Sequence, residues 1–128
     1  MSQLLLGTHV FIWFSEDAPN LPTAVREKIE SADSVYLSIV SLWEIAIKIS
    51  IGKLSLQTNY HHIEAGLVNL GIELISITFA DTIRLIDLPL HHRDPFDRLL
   101  IAQAIERSLL LVSADEVFEA YPAQLLWQ

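Results

Sequence analysis

Four short stretches place a carboxylate, or a gap where one would stand, at the point where a strand or loop runs into a helix. They are Leu4-Leu5-Leu6-Gly7-Thr8-His9, Ser41-Leu42-Trp43-Glu44, Asp94-Pro95-Phe96-Asp97 and Val112-Ser113-Ala114-Asp115. Strand-to-helix junctions on one edge of a parallel sheet converge, so such residues can share a pocket. Carboxylates gathered there repel one another unless a hard cation such as Mg2+ or Mn2+ draws them together. An ion so held can polarise a phosphate and orient a water. Glu44, Asp97 and Asp115 are the candidate catalytic and metal-ligating residues. Gly7 is the gap. Thr8 offers a hydroxyl and Asp94 a carboxylate three residues before Asp97, so both are candidates for a supporting role around the ligands. Lys48 and Arg98, with Lys53 and Arg93 nearby, could form a rim for substrate phosphates.

Each acidic position also has an ordinary structural role. Ser41-x-x-Glu44 reads as a capping box, with a Glu44–Lys48 pair at i,i+4. Against that, an ionised carboxylate on a helix apolar almost all round is costly unless a cation or donor meets it. Asp94 before Pro95 suits an N-cap with proline at N1, and Asp97 at N3 complements the helix dipole. Arg98 could pair with either aspartate. Asp115 stands at what also looks like an ordinary helix start. Gly7 suits a tight strand-to-helix turn. The adjacent pairs His61-His62 and His91-His92 have no i,i+4 partner for zinc and read as solvent-facing.

The elements that must position these residues alternate between short apolar runs and longer amphipathic ones. Leu4 to Leu6, Ser34 to Leu37, Ile72 to Ile77, Leu109 to Val112 and Leu125 to Trp127 read as strands. Helices are expected over His9 to Phe14, from Pro22 to about Ser31, from Ser41 to about Ile51, from an Asn59 cap to Gly71, after a Thr78 cap, and from Asp94-Pro95 to about Arg107. The pattern predicts one α/β domain over residues 1–128, with a mainly parallel sheet of four to five strands and helices on both faces.

Composition narrows the classes. There is no cysteine, which excludes a disulfide scaffold, a thiol nucleophile and a thiolate zinc site. No run approaches the roughly 20 apolar residues of a membrane span, and no export signal is seen, so a cytoplasmic location is expected. A net charge of −8 is the wrong sign for unaided binding to a polyanion. At 52% hydrophobic residues, some apolar surface is expected to be covered by another chain.

Together these stretches resemble the PIN-domain family, and within it the VapC-like toxins of bacterial type II toxin–antitoxin modules. The resemblance covers almost the whole chain. It is carried by Leu4 to Trp13, Ser38 to Ile45, His92 to Ala104 and Leu111 to Asp115, in order and at matching separations. It implies a Rossmann-like three-layer sandwich and an Mg2+- or Mn2+-dependent endoribonuclease site of four acidic positions. Three are matched by Glu44, Asp97 and Asp115; the fourth should be aspartate where this chain has Gly7, which implies impaired catalysis. The competing reading is a non-catalytic PIN-fold module that binds antitoxin and RNA without cutting. The resemblance further implies a homodimer and a cognate antitoxin, laid against the aromatic first helix (Phe11, Trp13, Phe14) and near Trp43.

Overall fold

A computed structural model describes residues 2–127 of the chain. Strands β1 (Gln3–Leu6), β2 (Ser34–Ser38), β3 (Ile72–Ile75), β4 (Leu110–Val112) and β5 (Leu125–Leu126) form one sheet in the order β3-β2-β1-β4-β5, with every pairing parallel. Between them run helices α1 (Thr8–Ser15), α2 (Thr23–Ser31), α3 (Ile39–Ser50), α4 (Ile63–Leu70), α5 (Phe79–Asp87) and α6 (Pro95–Glu106).

The first strand shows why the sheet needs two covers. Successive side chains of a strand point to opposite faces. Leu4 and Leu6 therefore enter a core with Phe11 and Phe14 of α1 and Val25 and Ile29 of α2, while Leu5 enters another with Leu100, Ile101 and Ala104 of α6. Each leucine so buried contributes roughly 1.5–3 kcal/mol. The register Leu6↔Val112 sends Gly7 and Ser113 off the sheet side by side, and Ser38↔Ile75 does the same for Ile39 and Ser76. Topology thus delivers the ends of β1, β2 and β4 to one edge.

Several boundaries differ from the sequence expectations, each for a local reason. Helix α3 begins at Ile39, because the Ser38 hydroxyl accepts from the Val40 N–H at 3.0 Å and is the N-cap. Ser41 then lies within the helix, so the capping box with Glu44 does not exist. Pro22 is the N-cap of α2 rather than its first residue, so the helix begins one residue later than expected. Asn59 caps a 3-10 turn at Tyr60–His62 before α4 starts. Thr78 and Asp81 form the reciprocal capping box of α5. That Asp81 is fully buried, and the Arg107 guanidinium meets both its oxygens from the end of α6, with the Gln103 amide donating at 3.1 Å.

No helix among the described residues is long and apolar enough to cross a membrane. Apolar side chains nevertheless line one exposed stripe of α3 (Ile39, Trp43, Ile47, with Ile51 just beyond) and another of α5 (Phe79, Ile83, Ile86, with Leu90 beyond).

Candidate active site

The loop after β1 has extended geometry. Gly7 has φ −67° and ψ 161°, a conformation open to any residue, so a turn is not what requires glycine there. Proximity is. A Cβ built on Gly7 would stand 2.9 Å from the Val112 carbonyl oxygen, to which the Gly7 N–H already donates. A side chain at position 7 requires that backbone to shift.

Thr8 opens α1 and points its hydroxyl at α3. It donates to Glu44 Oε1 at 2.8 Å and lies 3.0 Å from the Ser41 hydroxyl. Glu44 is buried, and Lys48 Nζ reaches its other oxygen at 2.7 Å. The expected i,i+4 pair therefore forms, inside the site rather than out in solvent. On α6, Asp94 Oδ1 caps the helix by accepting from the N–H groups of Phe96 and Asp97. Asp97, at N3, turns inward. Asp115 caps a short 3-10 turn at Glu116–Ala120 through the Val117 N–H and remains exposed.

These residues meet. Gly7, Thr8, Glu44, Lys48, Asp94, Asp97 and Asp115 all line one cleft of about 400 Å3, with Trp13 and Phe118 among its walls. Burial pushes the Asp97 carboxyl up, and repulsion from Asp94 and Glu44 adds to it, against a lowering hydrogen bond from His92; the result is a pKa of about 6. Carboxylates from α3 and α6 thus sense one another across the cleft.

Two expectations fail here. His92 does not face solvent. Its Nδ1 lies 2.6 Å from the Tyr121 hydroxyl and its Nε2 3.3 Å from Asp97 Oδ2. The Tyr121 oxygen already accepts from the His92 backbone N–H and from Arg98 Nη1. Its own hydrogen is then best given to Nδ1, which assigns the remaining ring hydrogen to Nε2 and lets it donate to Asp97. Arg98 pairs with neither aspartate; it donates to Tyr121 and to the Pro89 carbonyl at 2.9 Å, and it lines no part of the cleft. Tyr121 and His92 are 29 residues apart, and nothing in the sequence signals their pairing. Tyr121→Phe would leave the His92 backbone N–H without its acceptor and the ring Nδ1 without its donor, while Arg98 keeps the Pro89 carbonyl, and is expected to cost about 1–3 kcal/mol in urea unfolding.

The donor set does not, as it stands, fit a divalent ion. Gly7 offers no ligand, and both Glu44 oxygens are engaged by Thr8 and Lys48. No three His, Asp or Glu side chains among the described residues group closely enough to hold a metal. Of the aromatics on α1, Phe11 and Phe14 are core and only Trp13 reaches the cleft; Trp43 is half-exposed, edge-on to Phe96 at 4.9 Å.

The sequence profile of the PIN domain matches residues 4–124. The chain belongs to the PIN-domain family. Among PIN proteins it is 32% identical to Ribonuclease VapC22 of Mycobacterium tuberculosis over 124 residues, covering 90% of this chain and 88% of that one. Its PIN fold is shared with solved toxin–antitoxin assemblies. Two are VapBC2 of Rickettsia felis bound to a promoter DNA fragment (TM-score 0.74, 18% identity, 98% of each chain) and DNA-bound VapBC of Salmonella typhimurium (0.71, 17%, 100% of each). A third is a toxin–antitoxin complex of Klebsiella pneumoniae (0.66, 14%, 97% of this chain and 96% of that one).

Proposed function

We propose that this chain is a VapC-like toxin of the endoribonuclease type, held in check by a cognate antitoxin, whose own cutting of RNA is impaired by Gly7. The observation that carries the reading is the convergence of positions 7, 44, 97 and 115, distant in sequence, on one cleft. The ribonuclease name of a relative at 32% identity supports the substrate class, and the toxin–antitoxin neighbours support the partner.

Within this reading, Thr8 and Lys48 hold Glu44, and His92 orients Asp97. The Asp97 carboxyl, pushed up by burial and by Asp94 and Glu44, marks the crowding of negative charge that a bound cation would relieve. Lys48 is held by Glu44, which leaves the exposed Arg93 and Lys53 to meet phosphate oxygens. Arg98, turned to Tyr121, drops out of that role. The Mg2+ or Mn2+ requirement belongs to the same proposal and attaches to a site with aspartate at position 7. A second copy laid on the apolar stripes of α3 and α5 is the homodimer this reading includes, acting in the cytoplasm.

The test compares the parent with Gly7→Asp in an RNA cleavage assay containing Mg2+ or Mn2+. Restoring a ligand is expected to speed metal-dependent cleavage at least about 100-fold, equivalent to about 3 kcal/mol of barrier. Crowding against the Val112 oxygen is expected to cost Gly7→Asp about 1–3 kcal/mol of stability in the same preparation. Equal cleavage by both proteins would show position 7 to be dispensable. RNA binding with no cleavage by either would favour the non-catalytic module, the reading that the closed space at position 7 supports.

A further inference from the structure

Glu44 is the most deeply buried carboxylate of the cleft, with 7% of its side chain exposed, and both its oxygens have partners. Leaving such an anion buried and alone costs several kcal/mol, and one tethered charge can remove that cost if its geometry is good. Lys48 meets the requirement. It stands one turn further along α3, its side chain 37% exposed, and its ammonium reaches Oε2 at 2.7 Å, the length of a charge-assisted hydrogen bond. A second, independent feature lies across the cleft, where the Val112 carbonyl fills the space that a side chain at position 7 would need.

We propose that Lys48 is the built-in counter-ion of this cleft: its ammonium neutralises Glu44 and withholds that carboxylate from divalent cations. Lys48 is then a positioning residue, acting through Glu44. The tether keeps the ammonium at a high local concentration whatever the ion content of the medium, so a free cation gains Glu44 only by breaking a short charged contact. The inference rests on reading this cleft as the functional site, but its test measures ion binding, whereas failure of the nuclease reading would show in the cleavage assay.

Electron paramagnetic resonance of free Mn2+ measures binding to the parent chain and to variants whose folding is checked by circular dichroism. Lys48→Met is expected to bind Mn2+ at least about tenfold more tightly than the parent, because Glu44 is released as a ligand. Lys48→Arg, which keeps the charge, is expected to show no gain. Combining Lys48→Met with Glu44→Gln is expected to abolish the gain, which separates release of Glu44 from the general effect of removing a positive charge. In the intact parent, Glu44→Gln is expected to leave Mn2+ affinity where it was. Unchanged affinity in Lys48→Met would overturn the proposal. So would a clear loss in Glu44→Gln alone, a comparison that stands even where Lys48→Met does not fold.

Discussion

Arg107→Met is expected to destabilise the protein by about 3–5 kcal/mol, because it strands a fully buried Asp81 carboxylate without its cation. That is a loss on the order of 10 °C in Tm for a domain of this size. The reverse truncation is not equivalent. Asp81→Asn leaves the Arg107 side chain 25% exposed and able to turn to water, so its cost is expected to be clearly smaller. Burial alone would raise the Asp81 carboxyl; hydrogen bonds from Arg107, the Thr78 N–H and Gln103, together with the Arg107 charge, outweigh it and hold the group below its ordinary value of 3.8. A depressed folded pKa means the stabilisation is complete above 3.8 and disappears as pH falls through the folded value. Thermal melts of the two variants at neutral pH, and of the parent below pH 4, check both statements. A loss for Arg107→Met no larger than for Asp81→Asn would disprove the asymmetry.

Asp97→Asn is expected to do the opposite at neutral pH: to stabilise the fold while removing whatever cleavage the Gly7→Asp background shows. The Asp97 carboxyl is raised from 3.8 to about 6 by burial first, then by Asp94 and Glu44. For an acid raised in this way, the folded state is favoured in full below 3.8, and that advantage is lost as pH rises through 6. Two units correspond to about 3 kcal/mol as an upper figure, since each unit is 1.36 kcal/mol. The amide carries no charge to repel, so Asp97→Asn should be more stable than the parent at pH 7.5, with the gain disappearing towards pH 4. Melting curves across that range read the difference directly. A variant less stable than the parent at pH 7.5 would mean that the His92 contact and the helix dipole outweigh the repulsion. Strain of this sort, kept at a position where a neutral isostere would be more stable, is characteristic of sites under functional demand.

Much of this arrangement was legible because local chemistry and burial agreed. Leu4 to Leu6 could only be a buried strand, Asp94-Pro95 could only begin a helix, and the alternation of short apolar runs with amphipathic ones gave a parallel sheet with helices on both faces. The convergence of Glu44, Asp97 and Asp115 followed from their places at one sheet edge. What failed depended on distances across the fold. Ser38 and Ser41 both precede apolar residues, and only the turn of the chain at Ser38 decides which caps α3. The nearness of position 7 to a carbonyl 105 residues later is not revealed by composition either. His92, Tyr121 and Arg98 form a knot between separate elements, so reading Arg98 beside its sequence neighbours gave it the wrong partner. The Asp81–Arg107 pair was invisible for the same reason.

Because β1 is the middle strand, with Leu4 paired to Val35 on one side and Leu110 on the other, it cannot be enclosed until β4, more than 100 residues later, has been made. At about 5–20 residues per second, a ribosome leaves this strand covered on one side only for roughly 4–15 seconds, between completing β2 and completing β4. Asp97 and Asp115 also emerge well after Glu44, 53 and 71 residues later. A nascent product that stops short of Asp115 therefore holds no assembled cleft.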